Sequence, residues 1–348
     1  MTKPVIFFPV DQKLGAVIGC ELNHPAESFK SVLLTFDEPK THADFQARLS
    51  YLQDTQCKQI YDFTEKIGAG KFSIVYRCTQ KDKKTNRNYA IKVIDRKTLK
   101  PDEIQLIHNE TAIMKMLQFS SIIRFYEQYT SKDSLYIVTE YVKDGDLFDH
   151  IVHNEYLEEE EASFITKQLL LSIEYLHGID IVHRDLKPEN IMVHKDSHGK
   201  ISIIKLIDFG FACLNEDKEM LTTVCGTPNY VAPEVINGNY GCASDVFSAG
   251  VIVYLMLRGL LPFDAQIPDL IINKTLRGDY QMTDTHWQNV SQDGRDFVEG
   301  LLRVKPEERL TIKQALNHPW IRKRENLKSV YGANRTLSAL SLGKQNGV

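Results

Sequence analysis

The sequence lacks the features that mark secreted, zinc-binding or membrane-spanning proteins. Its six cysteines form no CxxC pair and no cluster with histidine, which argues against a zinc site and a disulfide framework and is typical of a reducing compartment. The first residues have too short an apolar run and no small-residue cleavage site for a signal peptide. The most apolar stretch, 249–257, is about half as long as a membrane span. These absences predict a soluble, cytoplasmic protein.

A strong charge of either sign is also missing. The 42 Lys and Arg against 46 Asp and Glu leave a formal net charge of −4, whereas a protein that binds nucleic acid in bulk needs a positive excess. Glycine (19) and proline (12) are too few for a chain dominated by linkers, and 348 residues suffice for about two domains. We expect a globular protein without a nucleic-acid partner.

The pattern along the chain divides it into an N-terminal module, a larger central part and a tail. Residues 1–56 carry short strand-like runs and then a helix-like segment. Residues 61–142 hold five strand-like stretches with one helix among them, and helical periodicity dominates from there to residue 320. Residues 322–348 have six basic side chains against one acid. The predicted fold class is α+β, with a β-rich lobe followed by an α-rich lobe.

The N-terminal module has a family resemblance of its own. The strand at 32–36 and the following helix, with Phe45, Leu49 and Leu52, resemble the last strand and terminal helix of a pleckstrin-homology domain. Only about three strands of such a fold are present, and Phe45 stands where that family usually has tryptophan. We therefore expect residues 1–56 to be a partial pleckstrin-homology-like module packed on the next domain, without membrane-lipid binding.

Two neighbouring segments carry weak signals for phosphate binding. The segment 68–75 (GAGKFSIV) follows an apolar strand, and its glycines would let the backbone approach a phosphate; a plain hairpin turn is the alternative. In the next strand, the period of two puts Ala90 and Lys92 on one face. A small residue beside an ammonium suits a flat base and its phosphates, although a solvated lysine gives the same pattern.

A glutamate further along supports the lysine. Glu110 falls on the same helical stripe as Ile107, Met114 and Leu117, so its carboxylate points inward and needs a cation. Lys92 is the obvious partner. A solvated Glu110 at the edge of the helix is the alternative.

A dense series of motifs decides between these interpretations. HRDLKPEN at 183–190 is followed by DFG at 208–210, GTPNY at 226–230, APE at 232–234 and, far downstream, Arg309. Together with the earlier segments they resemble the eukaryotic protein kinase family over residues 61–321, in family order and spacing. DFGFA and HPWI, the latter at 318–321, most resemble the calcium/calmodulin-dependent kinase group. The resemblance implies the two-lobed protein kinase fold, with a structural pair between Glu234 and Arg309 in the second lobe.

The resemblance also implies a role for each matching residue, with ATP and Mg²⁺ as the cofactors. Asp185 accepts the proton of the substrate hydroxyl, and Lys187 supports the transferring phosphoryl group. The implied catalytic residues are Asp185, Lys187, Asn190 and Thr227, of which Thr227 is typical of Ser/Thr kinases. The implied nucleotide-binding residues are Gly68, Gly70, Val75, Ala90, Lys92, Glu110, Thr139, Glu140, Val142, Asp146, Met192 and Asp208, and the implied Mg²⁺ ligands are Asn190 and Asp208.

A serine/threonine protein kinase is therefore the predicted function. The alternatives are a pseudokinase or scaffold that binds partners without phosphoryl transfer, and a lipid-binding adaptor. The family's catalytic positions are all occupied by matching residues, which argues against a pseudokinase. Phe247 and Lys305 replace a tryptophan and an acid of the family pattern, and both positions concern packing or loops.

Three expectations concern partners. Asp146 and Glu189 are expected to favour Arg about two to three positions before the acceptor hydroxyl, which would make Ser338, three residues after Arg335, an internal substrate. Thr223 occupies the position that an upstream kinase would phosphorylate to activate the enzyme, and Arg184 would pair with that phosphate. Cys213 stands where some relatives have a second basic side chain for the same phosphate. The basic tail would bind calmodulin or block the cleft if it forms a helix; a short unstructured tail is the alternative.

Overall fold

The computed structural model describes residues 56–70, 73–81, 87–131 and 133–322. The expected pleckstrin-homology-like module, except for its last residue, and the tail beyond Arg322 lie outside the described residues.

The first lobe is an antiparallel five-stranded sheet with one helix, as the sequence pattern predicts. The strand order is β1-β2-β3-β5-β4. The elements are β1 (Tyr61–Ala69), β2 (Ser73–Gln80), β3 (Asn88–Asp95), α1 (Pro101–Met116), β4 (Phe125–Thr130) and β5 (Ser134–Glu140). Helix α1 begins with proline at its first position, and Glu103 accepts the backbone N–H of Lys100 at 2.9 Å, which caps the helix start. Glu110 on α1 is buried, as predicted.

The residues just before β1 pack onto this sheet. Residues 56–60 are helical, and Cys57 is completely buried in a cluster with Tyr61, Cys78 and Tyr89. Tyr61 and Tyr129 both donate their hydroxyls to Oε2 of Glu127, at 3.0 and 2.5 Å. One face of the sheet is thus a small aromatic core of its own.

The second lobe is mainly helical. Its elements are α2 (Leu147–Asn154), α3 (Glu159–Gly178), β6 (Ile181–Val182), β7 (Ile191–Lys195), β8 (Ile201–Leu206), β9 (Cys213–Leu214), α4 (Pro233–Ile236), α5 (Ala243–Arg258), α6 (Pro268–Arg277), α7 (Gln292–Leu301), α8 (Ile312–Asn317) and α9 (Pro319–Arg322). Every residue of α5 from Ser244 to Leu257 is buried, because this helix runs through the middle of the lobe. None of the helices in the described ranges is long and apolar enough to cross a bilayer.

The short strands were not predicted, and they shape the site. β7 pairs with β8, and β6 pairs with β9, both antiparallel. The first hairpin places the 183–190 loop beside the segment that begins at residue 208. Strands of two to six residues give too short an alternating pattern to be recognised among helices.

One departure from the family pattern, Phe247, is accommodated by packing. Phe247 stacks on Phe263 with ring centroids 5.8 Å apart, and the guanidinium of Arg309 lies 5.0 Å from the centre of the Phe247 ring. Arg309 forms the predicted ion pair with Glu234, with Nη1 to Oε1 at 2.6 Å. This pair ties the APE segment to the end of the lobe.

Candidate active site

A cleft of about 820 Å³ lies between the two lobes. All twelve residues expected to bind nucleotide line it: Gly68, Gly70, Val75, Ala90, Lys92, Glu110, Thr139, Glu140, Val142, Asp146, Met192 and Asp208. Its size and apolar walls suit a drug-sized ligand. The sequence reasoning missed Ile67, Ile207 and Asp149, which also line the cleft. The binding roles themselves stay predictions.

Lys92 and Glu110 are the charged pair of the cleft. Lys92 Nζ lies 2.7 Å from Glu110 Oε1, and the carboxylate is nearly buried. Burial alone would lower the pKa of Lys92, but the charges of Glu110 and Asp208 outweigh it and raise the pKa above its ordinary value. The ammonium is therefore fixed and fully charged, which excludes the alternative of a solvated lysine.

The glycine-rich segment forms the end of the β1–β2 hairpin. Gly68 lies opposite Val75 in the pairing of the two strands, and the Gly70 N–H donates to the Ser73 carbonyl at 2.8 Å. The segment is thus a hairpin turn, and this does not exclude phosphate binding, because both glycines line the cleft.

The strand β5 leads into the connection between the lobes. Val142 is buried there, and none of the hydrogen bonds between described residues uses its N–H or C=O. Buried backbone groups usually have partners, so these two groups are candidates for contacts with a ligand in the cleft. Met192 of β7 lines the opposite wall.

The carboxylate of Asp185 is surrounded by donors. Thr227 Oγ1 donates to its Oδ1 at 2.8 Å, Asn190 Nδ2 donates to its Oδ2 at 3.2 Å, and Lys187 Nζ lies 3.1 Å from Oδ2. Lys187 also donates to Thr227 Oγ1 at 2.9 Å. The four predicted catalytic residues are thus one hydrogen-bonded group, with Asp185 only 6% exposed.

A second carboxylate, that of Asp245, stabilises the 183–190 loop. Asp245 of α5 accepts the backbone N–H groups of His183 and Arg184, both at 2.9 Å, and Nε2 of His177 lies 2.8 Å from it. Burial alone would raise the pKa of Asp245, but its contacts with His177 and His183 outweigh burial and lower it. The charged Asp245 stabilises Arg184 in a left-handed backbone conformation, at φ 69°.

Asp208 and Asn190 offer oxygen atoms suited to Mg²⁺. Both amide N–H groups of Asn190 point at Asp185, with Nδ2 3.0 Å from the Asp185 carbonyl, so its amide oxygen remains for a cation. The described residues hold no cluster of three or more His, Cys, Asp or Glu that could bind a metal alone. One carboxylate and one amide fit Mg²⁺, which completes its shell with phosphates and water.

The predicted activation residue, Thr223, lies near Arg184. Thr223 is exposed, and its carbonyl accepts the Tyr240 hydroxyl at 2.7 Å, while Arg184 Nη1 donates to the same hydroxyl at 3.3 Å. Burial raises the pKa of Tyr240 to about 12, so this hydroxyl stays protonated. The Tyr240 hydroxyl therefore connects the backbone of Thr223 to the guanidinium of Arg184.

Asp146, Asp149 and Glu189 of the second lobe also line the cleft. Asp146 caps α2 by accepting the Asp149 N–H at 2.8 Å. Burial raises the pKa of Asp146. The D-x-x-D spacing across a helix start could have revealed Asp149, because both residues lie on the first turn.

Comparison with known proteins agrees with this geometry. The protein kinase domain family matches residues 61–321. The chain belongs to this family. Myosin light chain kinase A of Dictyostelium discoideum is 38% identical over 270 residues, which cover 77% of this chain and 90% of the relative. The calcium/calmodulin-dependent protein kinase type 1 of Caenorhabditis elegans is 38% identical over 266 residues (76% and 75%), and that of Caenorhabditis briggsae 37% over 294 residues (83% and 80%).

The family and its relatives settle the class of enzyme. The chain is an ATP-dependent protein kinase of the serine/threonine type, which acts on protein substrates. The predicted resemblance and the two-lobed fold are confirmed, and the pseudokinase alternative is set aside.

Proposed function

We propose that this kinase transfers the γ-phosphate of ATP to Ser or Thr through the group formed by Asp185, Lys187, Asn190 and Thr227, and that it prefers substrates with Arg before the acceptor. The observation that carries the catalytic part is the shared hydrogen bonding of Asp185, Lys187 and Thr227, within 2.8–3.1 Å of one another. A single carboxylate among fixed donors suits a reaction that depends on orientation and charge.

In the proposed reaction, the acceptor oxygen bonds to the γ-phosphorus and the bond to the bridging oxygen of ADP breaks. Asp185 takes the hydroxyl proton, and Lys187 offers a positive charge to the transferred group. Lys92, fixed by Glu110, holds the other phosphates. Mg²⁺, held by Asp208 and the amide oxygen of Asn190, would neutralise phosphate charge when bound.

The proposed preference for Arg rests on three acids of the second lobe. Asp146, Asp149 and Glu189 line the cleft, and a guanidinium pairs with carboxylates through a planar fork of donors. The alternatives are that Asp146 only contacts the ribose and that Glu189 only has a local role. Burial raises the pKa of Asp146, so its charge is lost at a higher pH than that of an ordinary aspartate.

The test compares a peptide that has Arg three residues before Ser with the same peptide carrying Ala there, by transfer from radiolabelled ATP. We expect the Arg peptide to have about tenfold higher kcat/KM, corresponding to one charge-assisted contact. Asp146→Asn and Glu189→Gln should shrink this ratio, and the ratio should fall as pH is lowered. Glu307→Gln, an exposed acid elsewhere on the second lobe, is the matched control. Equal rates for both peptides would refute the preference and leave the transfer reaction intact.

Calmodulin is the proposed partner of the basic tail. Two of the relatives are named calcium/calmodulin-dependent kinases, and the tail carries Leu327, Val330 and Tyr331 at helical spacing among basic residues. The same assay with and without calcium and calmodulin tests it: stimulation that disappears when residues 323–348 are deleted supports the proposal, and equal activity in both conditions contradicts it.

A further inference from the structure

An ion pair behind the cleft links the two lobes. Lys205 Nζ on β8 lies 2.9 Å from Glu140 Oε2 at the end of β5, and the side chains are only 11% and 21% exposed. Among the ion pairs between described residues, this is the one that joins the sheet lobe to the helical lobe. Such a poorly solvated pair is weakly screened by solvent. No part of the motif series had pointed to Lys205.

Glu140 is also hydrogen-bonded to the backbone of Arg124. The Glu140 Oε2 accepts the N–H of Arg124 at 3.4 Å, and the backbone N–H of Glu140 donates to the Arg124 carbonyl at 2.9 Å. One residue earlier, the Ile123 N–H donates to the Leu206 carbonyl at 3.0 Å, and the Leu206 N–H donates to the Ser121 carbonyl at 2.8 Å. The segment 121–124 therefore belongs to the β8 side of the molecule, and Glu140 is tied to it.

Lys205 is also coupled to the wall of the cleft. It lies opposite Met192 in the β7–β8 pairing, and Met192, Glu140 and Val142 all line the cleft. The ion pair thus connects the end of β5 to the strand that pairs with the Met192 wall. A flat base inserted between them would lose contacts if this distance changed.

We propose that Lys205 is a positioning residue for nucleotide binding: through Glu140 it holds the backbone of residues 140–142 at the right distance from Met192. The inference rests on the proposed binding of ATP in this cleft and adds a residue that does not touch the nucleotide. The catalytic group around Asp185 lies within the second lobe and does not involve Lys205 or Glu140. Loss of the pair should therefore weaken nucleotide binding and spare transfer.

The test uses the full chain and measures the Kd of a fluorescent ADP analogue, KM for ATP, and kcat at saturating ATP. Lys205→Met should raise Kd and KM about fivefold, comparable to the loss of one hydrogen bond, with kcat within about twofold. Lys205→Arg, which restores the charge, should recover most of the affinity. Lys305→Met breaks a Lys–Glu pair of the same 2.9 Å distance on the exposed surface and should change none of the three.

Each outcome has a definite meaning. If Lys205→Met melts far below the wild type, Lys205→Gln, which removes the charge and keeps a polar side chain, carries the test with the same expectation. Unchanged Kd and KM in both variants, or a lower kcat with unchanged Kd, would overturn the proposal. A higher kcat with unchanged Kd would also overturn it, since the pair would then restrain product release. A wild type that binds no ADP would refute the proposed cleft instead.

Discussion

The two sides of the active site differ in how their charged groups are held. On the cleft side, Lys92 has one carboxylate partner at contact distance, Glu110, and the glycine hairpin beside it is bonded mainly to itself. On the catalytic side, Asp185 has three side-chain donors, and Asp245 supports the same loop by accepting two of its backbone N–H groups. The comparison indicates that the proposed reaction centre of the second lobe is held by more contacts than the proposed nucleotide-binding groups of the first lobe.

The largest expected effect comes from removing the proposed base. Asp185→Asn keeps the size of the side chain and removes its negative charge, so kcat should fall about 10²- to 10⁴-fold. Asp279→Asn makes the same change on the surface of the second lobe and should have no effect on kcat. Radiolabel transfer to a basic peptide measures both. Unchanged turnover in Asp185→Asn would show that Asp185 is not the base, and the distinction between a nucleotide-binding side and a catalytic side would be wrong.

The next largest effect comes from removing the charge of Asp245, which supports the catalytic loop. Asp245→Asn leaves His177 and two backbone N–H groups without their carboxylate, and denaturant unfolding at pH 7 should show a loss of about 3 kcal/mol. Because folding lowers the pKa of Asp245, its contribution is fully present above the ordinary Asp pKa and is lost as pH falls through the lower folded pKa. The difference between variant and wild type should therefore be constant from pH 6 to 8 and shrink in acid below about pH 4. A difference that stays constant into acid would contradict the role of the charge.

The smallest of these effects concerns the activation segment. After treatment with an activating kinase, the wild type should gain at least about threefold in activity through new contacts between a phosphate on Thr223 and Arg184. Thr223→Ala should lose this gain, and Thr222→Ala, its exposed neighbour, should keep it. A gain that survives in Thr223→Ala would place the switch elsewhere.

The sequence predicted the positions of the main elements because their patterns are long and local. Five strands with one helix, the inward Glu110 and the pair of Glu234 with Arg309 follow from periodicity and from motif resemblance. Lys205 could not be found in this way, because its place depends on a strand of six residues that meets the end of β5.

The support of the catalytic loop was also beyond the sequence. Asp245 is 62 residues from His183, and only the packing of α5 under the loop brings its carboxylate to two consecutive N–H groups. Nothing in the local sequence around Asp245 specifies these partners.

The central claim is that binding and transfer are held by different parts of the molecule, and a nucleotide titration of Asp185→Asn tests it most directly. With Mg²⁺ present, the variant should bind ATP with a Kd within about twofold of the wild type while its turnover is lost, since the charge removed acts on the acceptor hydroxyl. A Kd that rises in parallel with the loss of turnover would contradict the account.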